Sequence, residues 1–405
     1  LVSARDRLFI SYVGRSITDN KPIPPSVLVS ELLDYIEQGY APAGGTDEAR
    51  SLRSAIITEH RLQSFSPAYF SGNRKLYSYA PELCSAAESF NGEMSEYLPF
   101  MAGSMAEDEG SVIRLPDVLD YFHNPARHLL NRTLGIWLDT PGEMPGDSEA
   151  FALAGLDSYA LTARMVDEAL RGADPAGLYE AFRATGMLPH GSLGEYAFRG
   201  LLPGVRSFAR AVAGLRGGDA LPPLDMDMEV DGLTLTGRID RVYPGGIVHH
   251  RYASIKATDR LRAWIVYCAA VCAFDPMSRP AGYLVGRNGD APAVFIMRDG
   301  GGCRAHLGEL VRIFRRGRRS IVPFFPEASL AFAKEYAESR SVDGALIRAR
   351  AAFEGSDYAR GDSADPYTER CFRKMDPFEK RFYRDEFIRI ARAVYDPLLK
   401  FQEER

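Results

Sequence analysis

Paired cysteines, long apolar runs and a phosphate-binding loop are all missing from this sequence, and each absence narrows what the chain can be. Its five cysteines (Cys84, Cys268, Cys272, Cys303 and Cys371) include no Cys-x-x-Cys pair. An odd, sparse count fits a reducing cytoplasm, so a cytoplasmic location is expected. The longest apolar run, residues 263–274, is too short to cross a bilayer and suits a buried helix. No secretory signal is visible, and no membrane partner is expected. No Gly-x-x-x-x-Gly-Lys-Ser/Thr loop occurs, so the chain has no nucleotide-phosphate cradle of its own. Positive charge is not in excess either. A net charge of −5 argues against a globally basic nucleic-acid binder, while leaving room for a local basic groove. Repeats and low-complexity tracts are absent.

What is present is an ordinary globular balance over 405 residues, enough for two or three domains with real cores. The chain opens at Leu1 without a Met, which reads as a fragment of something longer. Residues 5–12 read as a basic patch running into a strand. A turn cluster at 19–22 follows, then a helix from Pro25 or Ser26 through Ile36 and a loop over 39–49. The segment from about 80 to 110 reads as a boundary, ending in the acidic run Glu107-Asp108-Glu109. Residues 114–138 carry an apolar helical face broken at Asn124-Pro125. Helices are expected over 156–170, 177–188, 304–315, 328–337 and 384–401, with residues 189–195 leading into a further helix through Ala213.

Residues 224–230 alternate strictly, with Asp225, Asp227 and Glu229 on one face and Met226, Met228 and Val230 on the other. A solvated acidic face over a Met/Val core face is the expectation, turning at Asp231-Gly232 into a second strand. Strands are also expected at 237–242, 247–253, 283–285 and 293–297, with a turn at 244–246 and a helix from about Leu261. His249 and His250, adjacent on a strand, should point to opposite faces and so cannot easily share one ion. Cys268 and Cys272 read as core. The run Arg312, Arg315, Arg316, Arg318 and Arg319 is the densest positive patch. It reads either as a solvated helix end complementing the dipole or as a DNA-phosphate contact.

The stretch 237–270, GRIDRVYPGGIVHHRYASIKATDRLRAWIVYCAA, resembles the core of PD-(D/E)xK nucleases in its strand–turn–strand–helix order. In active members the first strand ends in a metal-binding Asp, the second presents acid-x-Lys, and the helix often carries Gln-x-x-x-Tyr. Residues two apart on a strand share a face, so these groups converge on one Mg²⁺, which generates the attacking hydroxide. Here Asp240 keeps the first acid, but the acid-x-Lys positions are Arg251 and Ala253 and the Gln position is Ala263; Tyr267 remains. Glu195 stands where active relatives place a His. The resemblance therefore implies a degenerate site with no catalytic residue and no bound metal. Arg251 is expected to pair with Asp240 in place of the ion.

The blocks ISYVGRSITDN, PSVLVSELLDYI, HRLQSFSPAYF and KLYSYAPE resemble the RecC subunit of bacterial exodeoxyribonuclease V in order and approximate spacing. The resemblance runs from Arg5 to about Leu399. It implies an α/β fold: residues 1–75 closing a superfamily 1 helicase-like domain, 76–110 connecting, and 111–405 forming a nuclease-like domain with many added helices. The helix near 114–138 is similar to the one opening the nuclease domain of RecB and AddB relatives. Iron–sulphur members place a Cys before its Pro, and Asn124 stands there instead, so no cluster is expected. The implied function is non-catalytic: guiding and separating DNA strands and docking RecB-like and RecD-like subunits during double-strand break repair. Mg²⁺ and ATP would be used by those partners, with no cofactor in this fragment. Two alternatives stay open. One is an active Mg²⁺-dependent exonuclease with Lys256 as a migrated lysine; the other is a protein-docking module without DNA contact.

Overall fold

The computed structural model describes residues 7–16, 21–40, 52–91, 100–101, 103–105, 110–138, 153, 155–274, 279–289, 291–298, 301–356, 359–373, 375–379 and 381–405. The turn at 19–20, most of the 39–49 loop and the acidic run 107–109 lie outside them. The chain divides into two compact units, Leu1–Tyr97 and Leu98–Arg405.

The first unit holds helices α1 (Val27–Gly39), α2 (Leu52–Ile56) and α3 (Pro81–Asn91). Of the expected strand over 5–12, residues 5 and 6 lie outside the described ones, and residues 7–12 run without a ladder partner among them. What pairs is an antiparallel bridge between Arg15 and Pro22, in which Ser16 donates to the Lys21 carbonyl at 2.9 Å and Ile23 to that of Gly14 at 2.8 Å. A strand needs a neighbour for its backbone groups, and local apolar alternation does not provide one.

The second unit begins with β1 (Val112–Arg114), α4 (Leu115–His123) and α5 (Pro125–His128). Asn124 separates the two helices and caps the second, its side chain accepting the Arg127 N–H at 2.9 Å. Then come α6 (Gly155–Leu170), α7 (Tyr179–Ala184), α8 (Ser192–Arg216), β2 (Leu224–Val230), β3 (Leu233–Ile239), β4 (Val242–Tyr243) and β5 (Gly246–His250). α9 (Ala257–Ala273), β6 (Gly282–Asn288), β7 (Ala291–Met297), α10 (Cys303–Gly317), α11 (Pro326–Ser339) and α12 (Val342–Glu354) follow. The chain closes with β8 (Gly355–Ser356), β9 (Ala359–Arg360), α13 (Pro366–Phe372), α14 (Arg381–Phe401) and β10 (Gln402–Glu404). This is a mixed α/β architecture.

Two sheets position the site. One has the order β1-β3-β2, with β1 parallel to β3 and the β2–β3 hairpin antiparallel. The other runs β10-β7-β6-β5-β4, with β5 and β6 parallel and the remaining pairs antiparallel. Strand alternation divides the second sheet's side chains between two cores. Ile247, Leu284, Phe295 and Met297 join the cluster built on α9, α10, α14 and the first sheet. Val248, Val285 and Tyr243 join the cluster of α6 and α8 on the opposite side. A third cluster packs α11, α12, α13 and α14 around Phe325, Phe332 and Phe387. α9 is apolar over most of its surface, as suits a helix largely enclosed by its neighbours, with Trp264, Ile265, Tyr267 and Cys268 each at most 1% exposed.

The hairpin β2–β3 has the expected alternation: Met226 and Val230 are buried, while Asp225, Asp227 and Glu229 are exposed.

Candidate nuclease-like site

The positions that the nuclease pattern would bring together fall on the end of β3, the end of β5 and the face of α9. β3 ends at Ile239, short of the Val242 that the sequence pattern suggests. Arg241 then adopts a left-handed conformation, φ 64°, which breaks the strand and passes the chain to the second sheet as β4. Asp240 therefore sits at a bend between sheets, its side chain 71% exposed, with Arg238 at 3.6 Å.

β5 ends at His250, short of Arg251 and Ala253. The Arg251 N–H still donates to Val285 of β6 at 2.9 Å, and Arg287 donates to the Ala253 carbonyl at 2.8 Å. Between them Ala253 donates back to the Arg251 carbonyl at 2.8 Å, so the segment is looped and the regular two-residue repeat is lost.

The Arg251 side chain does not meet Asp240. Its guanidinium donates to Asp259 Oδ2 at 2.7 Å and lies 5.5 Å from the Tyr159 ring centroid. The expected Arg251–Asp240 pair is thus replaced by Arg251–Asp259, because the early end of β5 carries Arg251 to the N-terminus of α9. Asp259 serves both elements, since it also accepts the Lys256 backbone N–H at 3.0 Å. That bond completes the first turn of α9, which starts at Ala257 rather than near Leu261. The Arg251 guanidinium is held above its already high range by Asp259 and Tyr159, against the opposing effect of partial burial.

Ala263 and Tyr267 lie in the core, each 1% exposed. A Cβ at Gly282 of β6 would stand 2.6 Å from the Tyr267 ring, so glycine there lets the helix approach the sheet. Glu195, in the first turn of α8, forms an ion pair with Arg199 at 2.6 Å. Lys256 is exposed at the N-cap of α9. Among the described residues no three His, Cys, Asp or Glu side chains come together as metal ligands would. The donor set at Asp240, one carboxylate beside an arginine, does not suit Mg²⁺, which takes several oxygens.

His249 and His250 do face opposite sides. His250 approaches Asp167 of α6 at 3.9 Å and the Phe208 ring of α8. The pKa of His249 is pushed down to about 3 by burial and by the charges of Arg241 and Arg262. Cys268 is fully buried and Cys272 partly so.

The arginine run at the end of α10 and just past it is dispersed. Arg312 pairs with Glu309 at 2.6 Å and Asp231 at 3.4 Å. Arg316 bonds to Glu386 of α14. Arg319 donates to the Met105 carbonyl at 3.0 Å, and Arg318 lies 5.8 Å from the Phe314 ring. Arg315 is half-buried. Two other exposed cations, Arg241 at the bend after β3 and Arg262 on α9, do not stand out in the sequence. Their only signal there is position: one follows Asp240 directly and the other precedes Ala263.

A family model described as the RecC C-terminal domain matches residues 110–337. The chain is 27% identical to the RecBCD enzyme subunit RecC of Escherichia coli, over 93% of this chain and 34% of that protein. It is 31% identical to RecC of Haemophilus influenzae over 66% of this chain and 23% of the relative. For RecC of Mycobacterium tuberculosis the identity is 26%, over 93% and 34%. The chain spans about a quarter to a third of the length of these curated relatives. No helix among the described residues is long and apolar enough to cross a membrane.

Proposed function

Since the chain belongs to the RecC C-terminal domain family, we propose that it acts as a non-catalytic part of a RecBCD-type helicase–nuclease in the cytoplasm, guiding and helping to separate DNA strands. In this reading residues 111–405 are a degenerate PD-(D/E)xK domain and the first 75 residues close a helicase-like domain. Mg²⁺ and ATP belong to RecB-like and RecD-like partner subunits during double-strand break repair.

The observation that carries this reading is the engagement of Arg251 with Asp259. The position that should offer a metal-binding carboxylate holds a cation already neutralised, and Ala253 supplies no lysine. Removing a single metal ligand severely suppresses metal-assisted hydrolysis, and here several positions differ at once. Lys256 as a migrated lysine finds no support in the geometry, since it sits exposed at the N-cap of α9 beyond the loop.

Partner docking is favoured by the apolar surface of the first unit: Phe9 is 87% exposed and Leu28 78%. DNA contact is favoured by the concentration of five arginines, Arg312, Arg315, Arg316, Arg318 and Arg319, at the C-terminal end of α10 and just past it. Binding to labelled single-stranded and tailed duplex DNA, measured across a salt series in EDTA, tests this. Sequence-tolerant binding with a steep salt slope is expected. Absence of any salt-dependent binding would leave the protein-docking alternative.

A further inference from the structure

We propose that the outward face of α8 is a track for single-stranded DNA, on which Arg199, Arg206 and Arg210 take phosphates and Tyr196 stacks on an unpaired base. The proposal rests on the reading that this chain contacts DNA, and it adds a surface to the arginines at the end of α10.

α8 is 25 residues long, and its sequence SLGEYAFRGLLPGVRSFARAVAGLR holds four arginines against a single carboxylate, Glu195. In a chain of net charge −5 this is a local excess of positive charge. The helix is sharply two-sided. Phe198, Val205, Phe208 and Val212 are buried in the core shared with β5 and β6. Tyr196, Arg199, Pro203, Ser207 and Arg210 follow at three- and four-residue spacing on the opposite face, and all five are exposed. Arg206 lies beside them, also exposed. Only Arg216, the last residue, turns toward the sheet, its guanidinium 4.6 Å from the Tyr243 ring centroid. The three outward guanidinium groups are spread over about 16 Å of helix axis.

These cations are available. Arg210 has no hydrogen bond or ion pair from its side chain among the described residues. Arg199 meets Glu195 at 2.6 Å and Arg206 meets Asp174 at 2.7 Å, with each partner more than two-fifths exposed. Ion pairs so open to water contribute little, so a phosphate can displace the carboxylate at small cost. A guanidinium then forks onto the phosphate oxygens. The face is also open: a Cβ at Gly200 or at Gly214 would meet nothing within 4 Å.

Tyr196 decides the class of ligand. Its side chain is 81% exposed, and it has no ring or hydrogen-bond partner among the described residues. An outward aromatic ring beside a row of cations is the arrangement that holds single strands without sequence preference, because every unpaired base offers a face to stack on. A duplex keeps those faces covered. An acidic protein segment would answer the arginines and leave the ring without a role.

The test is fluorescence anisotropy of the full chain with a labelled oligothymidylate and with a duplex of the same length, in EDTA across a salt series. The triple variant Arg199→Gln, Arg206→Gln, Arg210→Gln should bind the single strand about ten-fold more weakly, with a salt slope lower by about 0.7 for each phosphate no longer neutralised. Tyr196→Ala should weaken single-strand binding by about ten-fold, leaving the slope and duplex binding unchanged, while Tyr196→Phe should bind as the wild type does. Arg210→Lys should keep the slope that Arg210→Gln loses, a comparison that stands even if the triple variant unfolds. Wild-type affinity and slope in a folded triple variant would overturn this site while leaving DNA binding elsewhere intact. Equal losses on single strand and duplex from the arginine changes, with none from Tyr196→Ala, would overturn the single-strand assignment. Competition by polyglutamate as effective as that by unlabelled oligothymidylate would assign the face to an acidic protein segment and overturn the proposal. No DNA binding by the wild type would overturn both the proposal and the reading it rests on.

Discussion

Arg251 stands where the nuclease pattern expects a metal-binding carboxylate, and its cationic character argues against metal binding there. Its partner is not legible. Pairing with Asp240 requires a regular strand through residue 253, whereas β5 stops at His250 and the chain loops. The side chains of Arg251 and Asp259 are 30% and 21% exposed, so losing one leaves the other only partly solvated. Arg251→Ala should cost about 1–2 kcal/mol in urea unfolding. A double-mutant cycle should give a coupling of about 0.5 kcal/mol or more between Arg251 and Asp259, and additivity between Arg251 and Asp240. Coupling to Asp240 instead would restore the pairing that the geometry replaces.

At the scale of elements, periodicity is informative wherever one face is buried. The β2–β3 hairpin, α8, α10 and α14 are readable from alternation or helical spacing, and the burial of α9 from its composition. α12 and β10 are not. α12 is short of apolar anchors, burying only Ala345 and Ala349, and β10 exists through pairing with β7, which lies more than a hundred residues earlier. Close approach of elements is equally hidden in sequence. Gly282→Ala would place a methyl 2.6 Å from the Tyr267 ring, and overpacking of this kind should destabilise by about 1–3 kcal/mol in the same unfolding assay. An effect within experimental error would mean that α9 and β6 can separate freely.

The start of α11 offers a test by pH. Burial pushes the Asp362 carboxyl up to about 7, although it accepts the Ala328 N–H at 2.9 Å. Its value in an unfolded chain lies near ~4, so the folded state holds the proton more tightly. The stability this contributes is complete below about pH 4 and is lost as pH rises through about 7. Asp362→Asn keeps an acceptor for the helix and should flatten the stability profile between about pH 4 and 7. A profile as steep as that of the wild type would assign the pH dependence to another group.

For the whole molecule, the family is legible in sequence blocks that physical periodicity does not produce, and the two-unit organisation only approximately, in shifts of composition. The acidic net charge hides the local cations along α8, because a sum over 405 residues says nothing of where charge gathers. The central claim is that a nuclease-like core has lost its chemistry and keeps its place in a DNA-processing assembly. The most direct measurement is incubation of the purified chain with end-labelled linear single- and double-stranded DNA in Mg²⁺ or Mn²⁺, beside its Asp240→Ala variant. The DNA should stay intact with both proteins. Degradation that persists through rigorous purification and disappears in Asp240→Ala would contradict the claim.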